Sequence, residues 1–262
     1  SDPQIVGLGE VFHLIDPKLI RKHIPFEKEP CSCGERLTTC PVWAEHLDSL
    51  ERNRERPHAF HYARLMDIVK QHCGDVIISD SSKNDKALRQ LLLSLPGMGL
   101  DVSELRVIHL IKDVRGFVKS HRRRFNDHPL MSYIRFSKWY KSNRLIQSIC
   151  SDNGCPTLQV GYEEICFYPE AMLKKICDFL GLPFASEMLD LSQSSGHVGV
   201  GNPMRGDSVK SQKLFYDQAW FTDNRILALY LLRKKVRDYN MRNTYSNIND
   251  HQKDGVNFRP LS

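Results

Sequence analysis

The chain has 262 residues, 41% hydrophobic and 26% charged, the make-up of an ordinary globular protein with material for one large core or two modest ones. Its 37 Lys and Arg against 31 Asp and Glu leave +6, a mild bias that suits an anionic small molecule; with no basic stripe interleaved with aromatics, nucleic acid is not an expected partner. No apolar run approaches a membrane span, the start lacks a secretory-leader pattern and no Asn-x-Ser/Thr sequon occurs, so the cytosol is the expected compartment, with a Golgi lumen open if the source is eukaryotic.

Four short apolar runs read as strands, and helical patterns alternate with them. Ile5–Leu8 comes first and stops on Glu10. Residues 21–58, rich in Pro, Cys and charge, read as an insertion. A helix around Phe60–His72 leads to the strand Val76–Ile78, which runs out in SDSSK with Lys83, and a helix around Lys86–Leu95 follows. The run VIHLI, Val107–Ile111, is almost uniformly apolar, as a central parallel strand should be. Behind it come Lys112, a helix around Arg115–Arg124 carrying Ser120, and a second helix around Tyr133–Cys150. The strand Thr157–Val160 ends in GYEE with Tyr162.

The segment PEAMLKKICDFLGLPF is a well-punctuated helix: Pro169 in its first turn, Met172, Ile176, Phe179 and Leu180 as its apolar stripe, Gly181 and Pro183 as its stop. A helix over roughly Asn224–Arg237 follows, and residues 241–262 read as a loosely ordered tail. Strands alternating with helices predict an α/β fold, a parallel sheet with helices on both faces, in one domain over residues 1–240.

In open sheets of this kind ligands bind beyond the carboxyl ends of the strands. There the chain places an acid (Glu10), two cations (Lys83 and Lys112), hydroxyls and an aromatic ring (Tyr162). That set suits a phosphorylated nucleotide and a proton transfer better than a metal.

Five stretches, taken in order, carry a resemblance. YEEICFYPEAMLKKICDFLGLPF looks like the signature of sulfotransferases that use 3′-phosphoadenosine 5′-phosphosulfate. RVIHLIKDVRGFVKS is similar to that family's 3′-phosphate-binding strand, turn and helix, with its serine eight positions after the basic residue. GNPMRG resembles the late basic loop that closes over the nucleotide. GLGEVFHL and SDSSK resemble the bacterial and tyrosylprotein branch, in which a glutamate after the second strand is the base.

The resemblance implies a P-loop nucleoside triphosphate hydrolase-like sulfotransferase fold. It also implies transfer of a sulfuryl group to a hydroxyl of a small-molecule or macromolecular acceptor, with no metal. Glu10 would be general base and Lys83 the electrostatic stabiliser. Lys112, Ser120 and Arg205 would bind the 3′-phosphate, and Tyr162 would contact adenine.

Two departures accompany it. The family's strand-end arginine is Lys112, a point charge in place of a planar fork. The family's glycine-rich phosphosulfate loop, with the strand before it, is expected upstream of Ser1, so the first βα unit is read as missing from this chain. A relative that binds a nucleotide or a partner protein without transferring sulfate is the rival reading.

Each residue also has a plainer reading: Glu10 as a solvated strand-end acid or helix cap, Lys83 as a surface lysine, Tyr162 as core. His121-Arg122-Arg123-Arg124 reads as a solvated helix face. Trp43 and Trp220 read as packing residues, and Cys177 as a small core residue. CSCGERLTTCPVW brings three thiols near His46. Zinc is conceivable there, but without a paired C-x-x-C spacing a thiol cluster, or a Cys33–Cys40 disulfide, is expected instead.

Overall fold

The computed structural model describes residues 3–16, 28–125, 128, 131–190, 196–201 and 216–247. It is an α/β protein whose chain divides into two compact units. One takes Ser1–Glu104 with Ala185–Lys213, the other Leu105–Phe184 with Leu214–Ser262. Each unit has its own small parallel sheet, where a single continuous sheet was expected.

In the first unit, β1 (Ile5–Gly9) lies between β2 (Ile77–Asp80) and β5 (Gly196–Val200), all parallel. Ile5 stands opposite Ile77 and Gly7 opposite both Ser79 and Gly196, and the register shifts between Gly7 and Gly9. A parallel pair needs a long crossover. Here it contains α1 (Phe12–Ile15), α2 (Pro41–Arg52) and α3 (His58–Cys73). Pro41 opens α2 at a position where a missing N–H costs nothing, and Gly74, at φ 82°, closes α3 with its N–H on Lys70 O. Helix α4 (Asp85–Ser94) starts on Asn84, whose side chain accepts from Ala87 N.

Within the stretch 21–58, the described residues from 28 onward contribute to the core. Leu37, Cys40, Val42 and Trp43 are fully buried and pack with Leu8, Leu14, Ile15 and Ile68 in this unit's core. The cysteines, prolines and charges around them mask that apolar stripe in the sequence.

In the second unit, β3 (Val107–Ile111) and β4 (Thr157–Gly161) pair in parallel, Val107 opposite Thr157 through Ile111 opposite Gly161. The helices α5 (Val114–Phe125) and α6 (Met131–Asp152) form the crossover. Two more, α7 (Tyr162–Phe167) and α8 (Pro169–Leu180), follow β4, and Gly181 ends α8 at φ 72° as expected. The core joins Ile111, Val114, Val118, Phe136 and Trp139 to Ile226, Tyr230, Val236 and Tyr239.

Three expectations change here. The predicted helix 224–237 is two helices, α9 (Asn224–Leu232) and α10 (Lys234–Thr244), broken at Arg233. Ordered chain continues past 240: Asn247 is buried and donates through its backbone N–H to Glu164 Oε1 at 2.8 Å. Strand β3 is not buried on both faces, since Ile108 is 39% and Leu110 51% exposed, and among the described residues only β4 pairs with it. Among those residues, too, no helix is long and apolar enough to cross a membrane.

Candidate functional site

The first unit sets Glu10 where β1 leaves the sheet. Gly9 makes the exit possible: its φ is 82°, and a Cβ there would lie 2.2 Å from Val200 O. The turn it forms puts Glu10 N on Val200 O at 2.8 Å, so the residue is anchored to β5. From the neighbouring β2, Asp80 Oδ1 accepts from Val11 N at 3.2 Å and Ser82 Oγ accepts from Phe12 N at 2.9 Å. Asp80 also accepts from Ser82 N and Ser82 Oγ, at 2.7 and 2.6 Å. SDSSK therefore clamps the turn that carries Glu10, and Lys83 at its end donates to Glu10 Oε1 at 3.0 Å. His13 Nε2 lies 3.4 Å from the other carboxylate oxygen. The Glu10 side chain is 20% exposed and that of Lys83 61%.

The second unit holds Lys112, Ser120 and Tyr162. Lys112 leaves the end of β3 and crosses Gly116, where an added Cβ would meet its Cε at 3.2 Å. Its ammonium stands 4.8 Å from the centre of the Tyr162 ring, which follows β4 directly. Ser120, half-buried, lies one turn along α5 from Gly116, on the face that Lys112 crosses.

Beside them is a buried polar network that the motifs gave no sign of. Asp113 is fully buried and takes both Arg115 Nε and Nη2, at 2.9 and 2.6 Å, with Asn240 Nδ2 and Tyr245 Oη each at 2.9 Å. Burial by itself would raise its carboxyl, but the Arg115 bonds and charge outweigh it and hold Asp113 below the usual carboxylate range. Arg115 is sandwiched between Trp220 and Tyr230, 3.9 and 4.5 Å from their ring centres. Glu163 Oε2 accepts from Asp113 N at 3.0 Å, while its Oε1 has no hydrogen-bond partner among the described residues. Burial pushes the Glu163 carboxyl up to about 7.

Some expectations are redrawn. Arg205 and the rest of its loop, 202–206, lie outside the described residues. The basic run on α5 is not a simple solvated face: Arg122 and Lys119 both pair with Asp223, at 3.1 and 2.8 Å, and Arg123 pairs with Asp217. Trp43, Trp220 and Cys177 are buried as expected, and all eight cysteines are free thiols, with no Cys33–Cys40 disulfide.

His46 is not beside the thiols in a ligand role. It is buried with Nε2 2.9 Å from Leu14 O, and burial lowers its pKa to about 4. The imidazole that does join Cys31, Cys33 and Cys40 is His197, from β5. Nothing local in the sequence marks His197, because its partners lie about 160 positions away.

Comparison with known proteins returns no matching family model, no matching curated protein and no matching solved structure.

Proposed function

We propose that the chain moves a sulfuryl group from 3′-phosphoadenosine 5′-phosphosulfate to an acceptor hydroxyl, on a P-loop-like sulfotransferase plan. The observation that carries the reading is the Glu10–Lys83 pair, an acid and a cation 3.0 Å apart beyond the carboxyl ends of two adjacent parallel strands.

The donor, when bound, supplies an activated sulfur centre with a phosphate as leaving group. Glu10 receives the acceptor hydroxyl's proton. Lys83 holds that carboxylate in place and offers a positive charge to the oxygens that gain charge during transfer.

Lys112, Ser120 and Tyr162, all in the second unit, are assigned to the nucleotide by their motifs. Lys112 and Ser120 offer a cation and a hydroxyl to the 3′-phosphate, and Tyr162 offers a ring to adenine. The adjacent carboxylate of Asp113 is neutralised by Arg115, so it does not repel an anion at Lys112. Arg205 is assigned to the same phosphate by its motif alone.

One observation favours a relative that binds without transferring. Glu10 and Lys83 already satisfy each other, an arrangement that also serves a purely structural turn. Radiolabelled sulfate transfer from the donor to a panel of hydroxyl acceptors, run beside calorimetric binding of 3′-phosphoadenosine 5′-phosphate, separates the readings. Binding with transfer supports the enzyme, binding without transfer to any acceptor supports the relative, and neither defeats both.

A further inference from the structure

We propose that Cys31, Cys33, Cys40 and His197 form a four-coordinate structural site for one zinc ion. One ligand atom from each, three Sγ and one ring nitrogen, all lie within 4.8 Å of one another. Zinc–thiolate bonds of about 2.3 Å in a tetrahedron put neighbouring sulfurs about 3.8 Å apart, so closing on the ion needs shifts of about 1 Å or less.

The backbone around the four donors is built to bring them together. Pro30 and Arg36 bridge as an antiparallel pair, and Cys31 N donates to Glu35 O at 2.7 Å, closing a tight turn. Gly34, at φ 95°, lets that turn double back, so Cys31 and Cys33 face one point. Cys40 is the residue immediately before α2, with its N–H on Arg36 O at 2.8 Å. The free N–H groups at the start of a helix favour a thiolate at this position.

His197 arrives from β5 and is fixed on both sides. Ser32, between the two turn cysteines, donates from Oγ to Gly196 O at 2.9 Å and from N to Val198 O at 3.2 Å, and accepts from Val198 N at 2.9 Å. Trp43 Nε1 donates to His197 O. Gly199 leaves the indole room, since a Cβ there would lie 2.8 Å from Trp43 Nε1. These contacts orient a ligand without touching the ion, as supports around metal sites do.

The donor set selects the occupant. Three thiols and an imidazole match zinc in a closed tetrahedral site, and four protein ligands leave no position open for substrate, which makes the role structural. A disulfide would use two of the sulfurs and leave a third thiol and the imidazole converging on nothing. Cys40 Sγ lies 3.1 Å from His197 Nδ1. Zinc binding displaces the thiol protons to solvent and involves no redox change.

The ion would pin the 28–40 segment to β5. That strand is the one whose Val200 carbonyl anchors Glu10 N. The inference does not rest on the proposed sulfuryl transfer.

The test is metal analysis of the full chain purified under reducing conditions without chelator, with about one zinc per chain expected. Cobalt substitution should give the intense visible bands of tetrahedral coordination together with thiolate-to-cobalt charge transfer. Cys33→Ser, at an exposed position, and His197→Ala should each weaken zinc affinity at least roughly tenfold, in protein shown to be folded by circular dichroism. His197→Cys should retain binding. A folded chain that takes up neither metal overturns the site. So does a stable disulfide among the three cysteines, or zinc affinity unchanged in both Cys33→Ser and His197→Ala.

Discussion

Lys83 Nζ donates to Glu10 Oε1 at 3.0 Å, joining two residues 73 positions apart at the ends of neighbouring parallel strands. Exposure of the lysine makes this pair a weak stabiliser. Glu10→Gln should therefore change unfolding free energy by no more than about 1 kcal/mol in a denaturant titration. If Glu10 is the base, the same variant loses turnover while binding 3′-phosphoadenosine 5′-phosphate as before. Retained turnover removes Glu10 from the mechanism.

Lys112 Nζ stands 4.8 Å from the centre of the Tyr162 ring. A charge-assisted bond to a phosphate contributes about 1.5–3 kcal/mol. Lys112→Ala should thus weaken binding of 3′-phosphoadenosine 5′-phosphate by roughly 10- to 100-fold in calorimetry, with little effect on acceptor binding. The reverse pattern would misplace the phosphate site.

Asp113 neutralises Arg115 inside the second unit. Asp113→Ala leaves the half-buried guanidinium without its counter-charge and strips Asn240 and Tyr245 of an acceptor, so a loss of about 3 kcal/mol is expected. The pH dependence has a definite sign. The folded carboxyl is held below its ordinary value of 3.8, so its contribution is full above that value and fades as pH falls through the lower folded value. Acid unfolding of the native chain followed by circular dichroism should show this loss below about pH 4, and Asp113→Asn should flatten it.

Glu163 has the opposite sign. Burial raises its carboxyl from 4.5 to about 7, so the folded state binds a proton that the unfolded state releases. Stability should fall as pH rises between those values, by on the order of 3 kcal/mol in all. Glu163→Gln should abolish that slope and leave the protein more stable than wild type at pH 8, as thermal unfolding across a pH series would register. A slope unchanged in the variant assigns it to another group.

Gly9 carries a left-handed backbone angle with no room for a methyl group beside Val200 O. Gly9→Ala should cost at least about 2 kcal/mol and displace Glu10 from its anchor on β5. Thermal melts measure the first effect. Loss of the Glu10 N to Val200 O bond should appear as faster amide hydrogen exchange at Glu10.

Much of the local structure was legible in the sequence. Ile5, Val6 and Leu8, VIHLI and the Pro169-to-Gly181 helix declare themselves because their periodicity and their proline and glycine punctuation are local properties of the chain. Strand β5 did not. GHVGV has two glycines and no apolar run, and it becomes a strand because its glycines let it lie against Gly7 and under Trp43. The basic run on α5 gained its partners the same way, since Asp217 and Asp223 are about a hundred positions downstream.

The sequence by itself determined which residues stand at strand ends: Glu10, Lys83, Lys112 and Tyr162 follow from where apolar runs stop. Only the tertiary structure decided which of them meet. Parallel pairing of β1 with β2 brings Lys83 to Glu10, and parallel pairing of β3 with β4 brings Tyr162 to Lys112. The same pairing of β1 with β5 carries His197 to three cysteines that the chain places far away. Strand pairing acts at a distance along the chain, so the convergence of these donors has no signature in any short stretch of it.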